Sequence, residues 1–337
     1  VDKERQPGQI KKVTKRRESR QVQIRFGYVA IALAVLEGSP NKTTNVKALE
    51  KIQPGDRTSR LSRIMMGNLA TTLRILRYNS AHQIHLYRFT SKLVPLATHP
   101  IAAGWDYIAD GQDLLQEIGD YIRLHGMRVS AHPDHYTLLN SPKAEVLAAS
   151  LKDLDHHVRI FEAMGFAPFP SLVMHVGGVY KEKQLALNRF AEQFASLPER
   201  IRLRIMLEND DKIYTAAEVL TLCEKIGCPM VLDVHHHRSN NEGENLADLW
   251  PRIAATWSDG TPKIHVSSPK NEKDIRAHDD NVAAADILPF LHMARDLNRD
   301  FDIMVEAKQK DAAMFRLIES LSAEPDIQRI EQAMIEL

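Results

Sequence analysis

Eight times along this chain a short run of apolar and β-branched residues gives way to a segment with the period of an amphipathic helix, and few folds accommodate that rhythm. The runs fall at 24–29, 85–90, 128–132, 172–178, 204–210, 230–234, 263–266 and 302–308. Helices are expected at 68–82, 111–125, 143–164, 183–194, 215–226, 246–257, 282–297 and 312–321, with a short tail after the last. The helix at 215–226 has a start signal, Thr215 followed three residues on by Glu218, which can satisfy two orphan backbone N–H groups reciprocally. Parallel strands separated by single helices predict one (β/α)8 barrel, here spanning 21–337. The alternative is a doubly wound open sheet, but the glycine-rich turn expected after its first strand is missing.

Composition narrows the class of function. Lys plus Arg and Asp plus Glu each number 44, so a nucleic-acid partner must be held by a local patch rather than by the mean field. Residues 1–20 hold Lys11, Lys12, Lys15, Arg16, Arg17 and Arg20 with almost nothing apolar, and are expected to be a disordered basic tail. Cys223 and Cys228 are the only cysteines, which excludes a disulfide framework and a cysteine zinc site and suits a reducing compartment. No apolar run approaches the ~18 residues of a membrane span and no signal peptide is evident, so a cytoplasmic protein without membrane partners is expected. Histidine, at 15, is the unusual count.

In a barrel the C-terminal ends of the strands converge on one face, where active sites sit. The strand ends and the loops just after them carry His99, His132, His175, Glu208, Asp233, the run His235, His236 and His237, then His265, His278 and Glu306. A lone buried histidine is more often structural than a ligand. Burying this many titratable groups on one face would cost several kcal/mol each without compensation, and divalent cations bound by mixed nitrogen and oxygen donors supply it. The set exceeds what one ion can use, and carboxylates such as Glu208, Asp233 and Glu306 can bridge, so two or three ions are expected. Such clusters suit phosphate-ester hydrolysis. A single-metal sugar isomerase on the same fold is the competing reading.

Strand periodicity adds two lysines. Lys263 shares a strand face with His265, and Lys308 with Glu306. A cation aimed into a cation site is wrong unless neutral, modified or directed at a phosphate. Lys263 fits a neutral or carboxylated ligand and Lys308 a phosphate contact; an ordinary salt bridge is the bland alternative for each. Alternation from Asp233 favours His235 as the next ligand, whereas a strand that ends early favours His236.

These motifs resemble the UV damage endonuclease family, akin to the endonuclease IV branch of the xylose-isomerase-like barrels. The matching segments are Arg25-Phe26-Gly27-Tyr28, Leu86-Tyr87-Arg88-Phe89, the run 94–100 ending in Thr98-His99-Pro100, His132-Pro133 and Met174-His175-Val176-Gly177-Gly178. They continue through Leu207-Glu208-Asn209-Asp210, Asp233 with His236, the run 262–268 around Lys263-Ile264-His265, and Val305-Glu306-Ala307-Lys308. The resemblance implies incision of damaged double-stranded DNA immediately 5′ of a UV photoproduct, either a cyclobutane dimer or a 6-4 photoproduct. The products would be a 3′-hydroxyl and a 5′-phosphate, the first step of excision repair. It implies manganese, ligands at His99, His132, His175, Glu208, Asp233, His236, His265, His278 and Glu306, and a carboxylated Lys263. Glu208, Lys263 and Lys308 take the catalytic roles, and the family spacing selects His236 within the histidine run. Tyr28 would line a pocket for the extruded lesion, and Arg88 would bind substrate. The family's wedge, a glutamine followed by an aromatic, corresponds here to His135 and Tyr136, so the first position departs from the pattern. Lys92, Lys270 and Lys273 are further candidates for phosphate contacts. A monomer, associated with the nucleoid during repair, is expected. The alternatives are an apurinic/apyrimidinic endonuclease or a metal-dependent sugar isomerase of the same superfold.

Overall fold

The computed structural model describes residues 21–337, so the basic stretch 1–20 lies outside the described residues. Eight parallel strands close on themselves: β1 (Gln23–Val29), β2 (Leu86–Phe89), β3 (Arg128–Ala131), β4 (Leu172–His175), β5 (Ile205–Glu208), β6 (Met230–Asp233), β7 (Lys263–Val266) and, after the short pair β8 (Pro269–Asn271) and β9 (Asp274–His278), β10 (Phe301–Val305). β10 pairs with both β7 and β1, which closes the barrel. The helices are α1 (Val46–Glu50), α2 (Pro54–Ala81), α3 (Tyr107–Leu124), α4 (Ala144–Ala163), α5 (Lys183–Ser196), α6 (Glu199–Arg202), α7 (Ala216–Ile226), α8 (Val234–Ser239), α9 (Leu246–Ala255), α10 (Ala284–Arg295) and α11 (Lys310–Leu321). The (β/α)8 architecture expected from the alternation is the one found, and the Thr215–Glu218 box opens α7 with both reciprocal hydrogen bonds in place.

The differences have physical causes. The first long helix begins at Pro54 rather than near 68, because its first two turns are exposed and polar and carry no apolar stripe to read. The strand at 230–234 stops at Asp233, whose carboxylate accepts the His236 N–H at 2.8 Å and starts α8, so the three histidines lie on a helical turn. The expected tail is a hairpin, β11 (Gln328–Glu331) and β12 (Met334–Glu336); β12 pairs antiparallel with β1. β11 is charged and exposed along most of its length and therefore shows no alternation.

Two separate packings result from the strand period of two. Outward side chains such as Ile24, Phe26, Leu172 and Ile264 join the helices in one large core. Inside the barrel a smaller apolar cluster, Val173, Met206, Val231 and Trp257, is set apart from it. Gly27 belongs to the crowded contact of β1 with β2; a Cβ there would lie 2.2 Å from the Leu86 carbonyl oxygen.

Below the apolar cluster, at the N-terminal ends of the strands, the buried Asp302 carboxylate accepts from Arg25 Nε at 2.7 Å and from Arg128 at 2.5 Å. The Arg128 guanidinium also stacks over the Trp257 ring, 5.0 Å from its centroid. Removing one partner of a buried pair leaves uncompensated charge. Asp302→Ala is therefore expected to lower unfolding free energy by about 3–5 kcal/mol, read as a fall in the urea midpoint with unchanged slope; an unmoved midpoint would mean that solvent already screens both guanidinium groups.

Candidate metal centre

At the opposite end of the barrel the strands deliver their last inward side chains to one point. Glu208 ends β5, Asp233 ends β6, His265 is the third residue of β7, and Glu306 follows β10. Glu208, Asp233 and His265 are buried, and Glu306 nearly so. His265 Nδ1 lies 2.7 Å from Glu208 Oε1 and 3.0 Å from Glu306 Oε1. Glu208 Oε2 faces His132 Nε2 at 3.4 Å and His175 Nε2 at 3.7 Å. His236 Nδ1 stands 3.7 Å from Asp233 Oδ2 and 3.9 Å from Glu208 Oε1.

Among the described residues, three groups bring their ligand atoms within 4.8 Å of one another: His132, His175 and Glu208; Glu208, Asp233 and His236; and Glu208, His265 and Glu306. Glu208 belongs to all three. The donor set is nitrogen and carboxylate oxygen, the mixture that suits manganese, iron or zinc better than calcium or magnesium alone.

Two features fit these residues to cations. Asp233 Oδ2 and His265 Nε2 are buried without hydrogen-bond partners among the described residues, a costly state that ligation relieves. Four imidazoles are also turned the same way by backbone carbonyls. Nδ1 of His132 donates to Pro133 O at 2.8 Å, of His236 to Asn209 O at 2.9 Å, of His278 to Glu306 O at 3.0 Å and of His175 to Glu208 O at 3.4 Å. A carbonyl can only accept, so Nδ1 carries a proton in each and Nε2 is the nitrogen left to ligate, after losing its own proton where the ring is charged, as metal-ligating histidines require.

Charge is unevenly shared. Burial opposes ionisation of Glu208, yet the His265 and His175 imidazoles hold its carboxyl well below the usual carboxylate range. Burial likewise opposes ionisation of Glu306, but Arg88, which donates to it directly, and His265 hold it well below that range. Asp233 is pushed up by burial. Burial disfavours the charged forms of His265 and His236, but Glu208 and Glu306 around the first, and Asp233 and Glu208 around the second, push each up to about 9. Protons on imidazole thus hold the positive charge that three buried carboxylates demand, and a divalent cation would take their place.

Asn209 locks two ligand-bearing strands together. Its side chain accepts from the Asp233 N–H at 2.9 Å and donates to the Asp233 carbonyl at 3.0 Å. Asp210 turns the next loop by accepting from the backbone of 212–214. Only the residue types of this Asn-Asp pair are visible in sequence, since the locking bonds join distant strands.

Other expected site residues are placed as follows. His278 ends β9 at the rim, its Nδ1 3.9 Å from Glu306 Oε2, outside the three groups but beside them. His99 is exposed at the start of a 3-10 turn (Pro100–Ala102), where its Nδ1 accepts from Ile101 N, and no group includes it. Arg88 points to the centre but is paired with Glu306. Lys308 is exposed and 3.5 Å from Asp280, away from the ligands. Lys310, which sequence reasoning passed over, is the nearby lysine whose charge is felt by Arg88 and Glu306. Lys263 is fully buried inside the barrel, its Nζ has no hydrogen-bond partner, and burial, with Arg128 next, pushes its pKa well down.

Tyr28 corrects an expectation. It faces the helices rather than the mouth: it is fully buried, its hydroxyl donates to Asn79 at 2.6 Å, and its ring packs edge-on against Tyr87. As the sixth residue of β1 it alternates with Gly27 and falls on the outward face. His135 and Tyr136, by contrast, stand exposed on the loop after β3 with ring centroids 3.9 Å apart. A hollow of about 430 Å³ beside them is lined by His132, His135, His175 and Lys212.

The family described as UV-endonuclease UvdE matches residues 24–337. A UV DNA damage endonuclease of Bacillus cereus (strain B4264) is 44% identical over 315 residues, covering 93% of this chain and 99% of that protein. The protein of the same description from Bacillus mycoides (strain KBAB4) is likewise 44% identical, with the same coverage. Among solved structures, that of SacUVDE superposes with a TM-score of 0.79 at 30% identity, covering 89% of this chain and 98% of that one. A 3-keto-D-glucoside 4-epimerase from E. coli superposes at 0.53 with 11% identity, a likeness of fold alone.

Proposed function

Because the chain belongs to the UV-endonuclease UvdE family, we propose that it hydrolyses the DNA phosphodiester immediately 5′ of a UV photoproduct, using two or three divalent ions, most plainly manganese, held at the mouth of the barrel. The observation that carries the metal reading is Glu208, common to three groups of ligand atoms among the described residues and ringed by imidazoles whose Nδ1 is tied to a backbone carbonyl, which leaves Nε2 to ligate. When bound, the ions would lower the pKa of water to near neutrality and offset the charge developing on the phosphate. His132, His175, Glu208, Asp233, His236, His265, His278 and Glu306 would hold them, and His99 would complete the set only if its loop folded inward.

The protein's own side chains do the rest. Asn209 keeps β5 and β6 in register so that Glu208 and Asp233 share one pocket. Arg88 restrains Glu306 and leaves its second oxygen for ligation. Lys263, a buried amine whose Nζ has no hydrogen-bond partner among the described residues, would add carbon dioxide as the neutral amine and become a carbamate anion, releasing one proton. Guanidinium groups of Arg128, Arg88 and Arg25 act on that position and favour an anion there, against the opposing charge of Asp302. Lys310, on the first turn of α11, would be the lysine nearer the phosphate, and Lys308 would reach it only by leaving Asp280.

A photodimer weakens stacking and pairing, so extruding it costs less than extruding normal bases. Tyr136, 71% exposed, is the aromatic that fills the gap left behind, and His135 takes the neighbouring wedge position. Stacking of one base on an aromatic is worth ~1–3 kcal/mol. Tyr136→Ala is therefore expected to weaken binding to damaged duplex by about 5- to 150-fold, with kcat for bound substrate nearly unchanged. Competition between damaged and intact duplexes measures this, and unaltered discrimination would place the wedge elsewhere.

Incision of a 5′-labelled duplex carrying one cyclobutane dimer, with manganese and then with chelator, tests the whole reading. A metal-dependent cut immediately 5′ of the dimer, leaving a 3′-hydroxyl, is expected. Cleavage only at an abasic site would make the protein an apurinic endonuclease.

A further inference from the structure

The antiparallel pair β8–β9 stands out from the barrel between β7, which carries His265, and His278, which ends β9. Its root is pinned: Ser268 O accepts the Asp279 N–H at 2.9 Å, and Ser268 Oγ accepts the Ala283 N–H at 2.9 Å and donates to Asp286. Its shaft rests on α8 through two side-chain contacts, His235 Nε2 donating to Arg276 O at 3.3 Å and Ser239 Oγ to Ile275 O at 3.4 Å. Beyond these the ribbon is exposed from Lys270 to Arg276.

Three cations ride on it. Lys270, Lys273 and Arg276 are exposed, and among the described residues their side chains form no ion pair or hydrogen bond. Elsewhere on the surface Arg77, Arg200, Arg238, Arg252 and Arg295 are each matched by a carboxylate. The two acids of the ribbon, Glu272 in its turn and Asp274 just after it, leave the cations uncompensated by one charge. Arg276 and His278 are two apart on β9 and share a ribbon face, so an anion held by Arg276 lies on the side that leads to the metal centre.

We infer that this ribbon is an arm that grips the phosphate backbone of the duplex through Lys270, Lys273 and Arg276, beside the scissile site. The inference rests on the DNA reading above. The arm reads no sequence and no lesion; it supplies sequence-independent hold and orients the strand that passes His278.

Its signature is salt dependence. Each phosphate neutralised contributes about 0.9 to the slope of log K against log salt. The full-length Lys270→Gln, Lys273→Gln, Arg276→Gln variant is expected to bind a labelled duplex, under chelation so that nothing is cut, with a slope smaller by about 2–3. Damaged and intact duplexes should weaken by the same factor. Lys225→Gln, which removes an exposed cation in the last turn of α7 at the other end of the barrel, should change neither. Charge reversal of the three to Glu should deepen the loss while the melting temperature stays put. An unchanged slope, or a loss confined to damaged duplex, would overturn the arm; so would a wild-type protein that binds no duplex. If the wild type binds but does not incise UV-damaged DNA, the nuclease reading falls while the slope still decides the arm.

Discussion

Glu208→Gln is expected to abolish incision while the barrel remains folded. The substitution keeps the shape of the side chain and removes one charge, and that charge is shared by all three candidate ligand groups. Loss of a single preorganised electrostatic element costs about 10²–10³ in kcat; weakening three ion positions together should exceed ~10³. Folding is protected by what stays behind. His265 keeps Glu306 at 3.0 Å, and His132 and His236 keep their backbone carbonyl partners. The discriminating measurements are metal content per chain by native mass spectrometry, incision rate, and the thermal transition. Lost metal and lost incision with a preserved transition support the centre. Full activity in this variant would remove Glu208 from it.

Legibility in the sequence followed periodicity. Strands and most helices were readable because they bury a stripe, and the barrel followed from their alternation. Where burial fails the pattern fails: the exposed start of α2 and the charged strands β9 and β11 carry no alternation to detect. The same limit governed the site. Glu208, Asp233, His265 and Glu306 were visible because they stand at the ends of buried strands. The choice of His236 over His235 was open to alternation because Asp233 turns the chain into α8, and a helical turn aims residue i+3 rather than i+2. In the structure His235 instead supports the ribbon through Arg276 O.

Two residues show how a motif can be right and its geometry unreadable. Tyr28 belongs to a matching segment, yet its outward register binds it to Asn79 in the core. Lys308 was singled out by its spacing from Glu306, but the strand ends at Val305, so alternation no longer governs it. Lys310, on the first turn of α11, is half-buried, and burial and then the Arg88 charge push its pKa down against the opposing pull of Glu306. Neither the locking bonds of Asn209 nor the isolation of Lys263 Nζ leaves any local mark in the sequence, since both depend on strands far apart in the chain.

Lys263→Met separates function from stability by giving them opposite signs. A buried amine without a partner costs the fold the desolvation of a polar group, about 1–3 kcal/mol. Methionine has similar length and no polar head, so it occupies the fully buried position without an amine to desolvate. The variant should therefore unfold at higher denaturant, gaining up to about 1–3 kcal/mol. If Lys263 serves the ions as a carbamate, incision should nonetheless fall by about 10- to 100-fold or more, the range for losing a group that supports a metal site. Wild-type protein equilibrated with ¹³C-bicarbonate should show a carbamate carbon that the variant lacks. A residue with a merely structural role would lose stability and activity together. Retained incision with the stability gain would leave the amine an unoccupied liability of the barrel interior, and the ions would then be held by histidine and carboxylate alone.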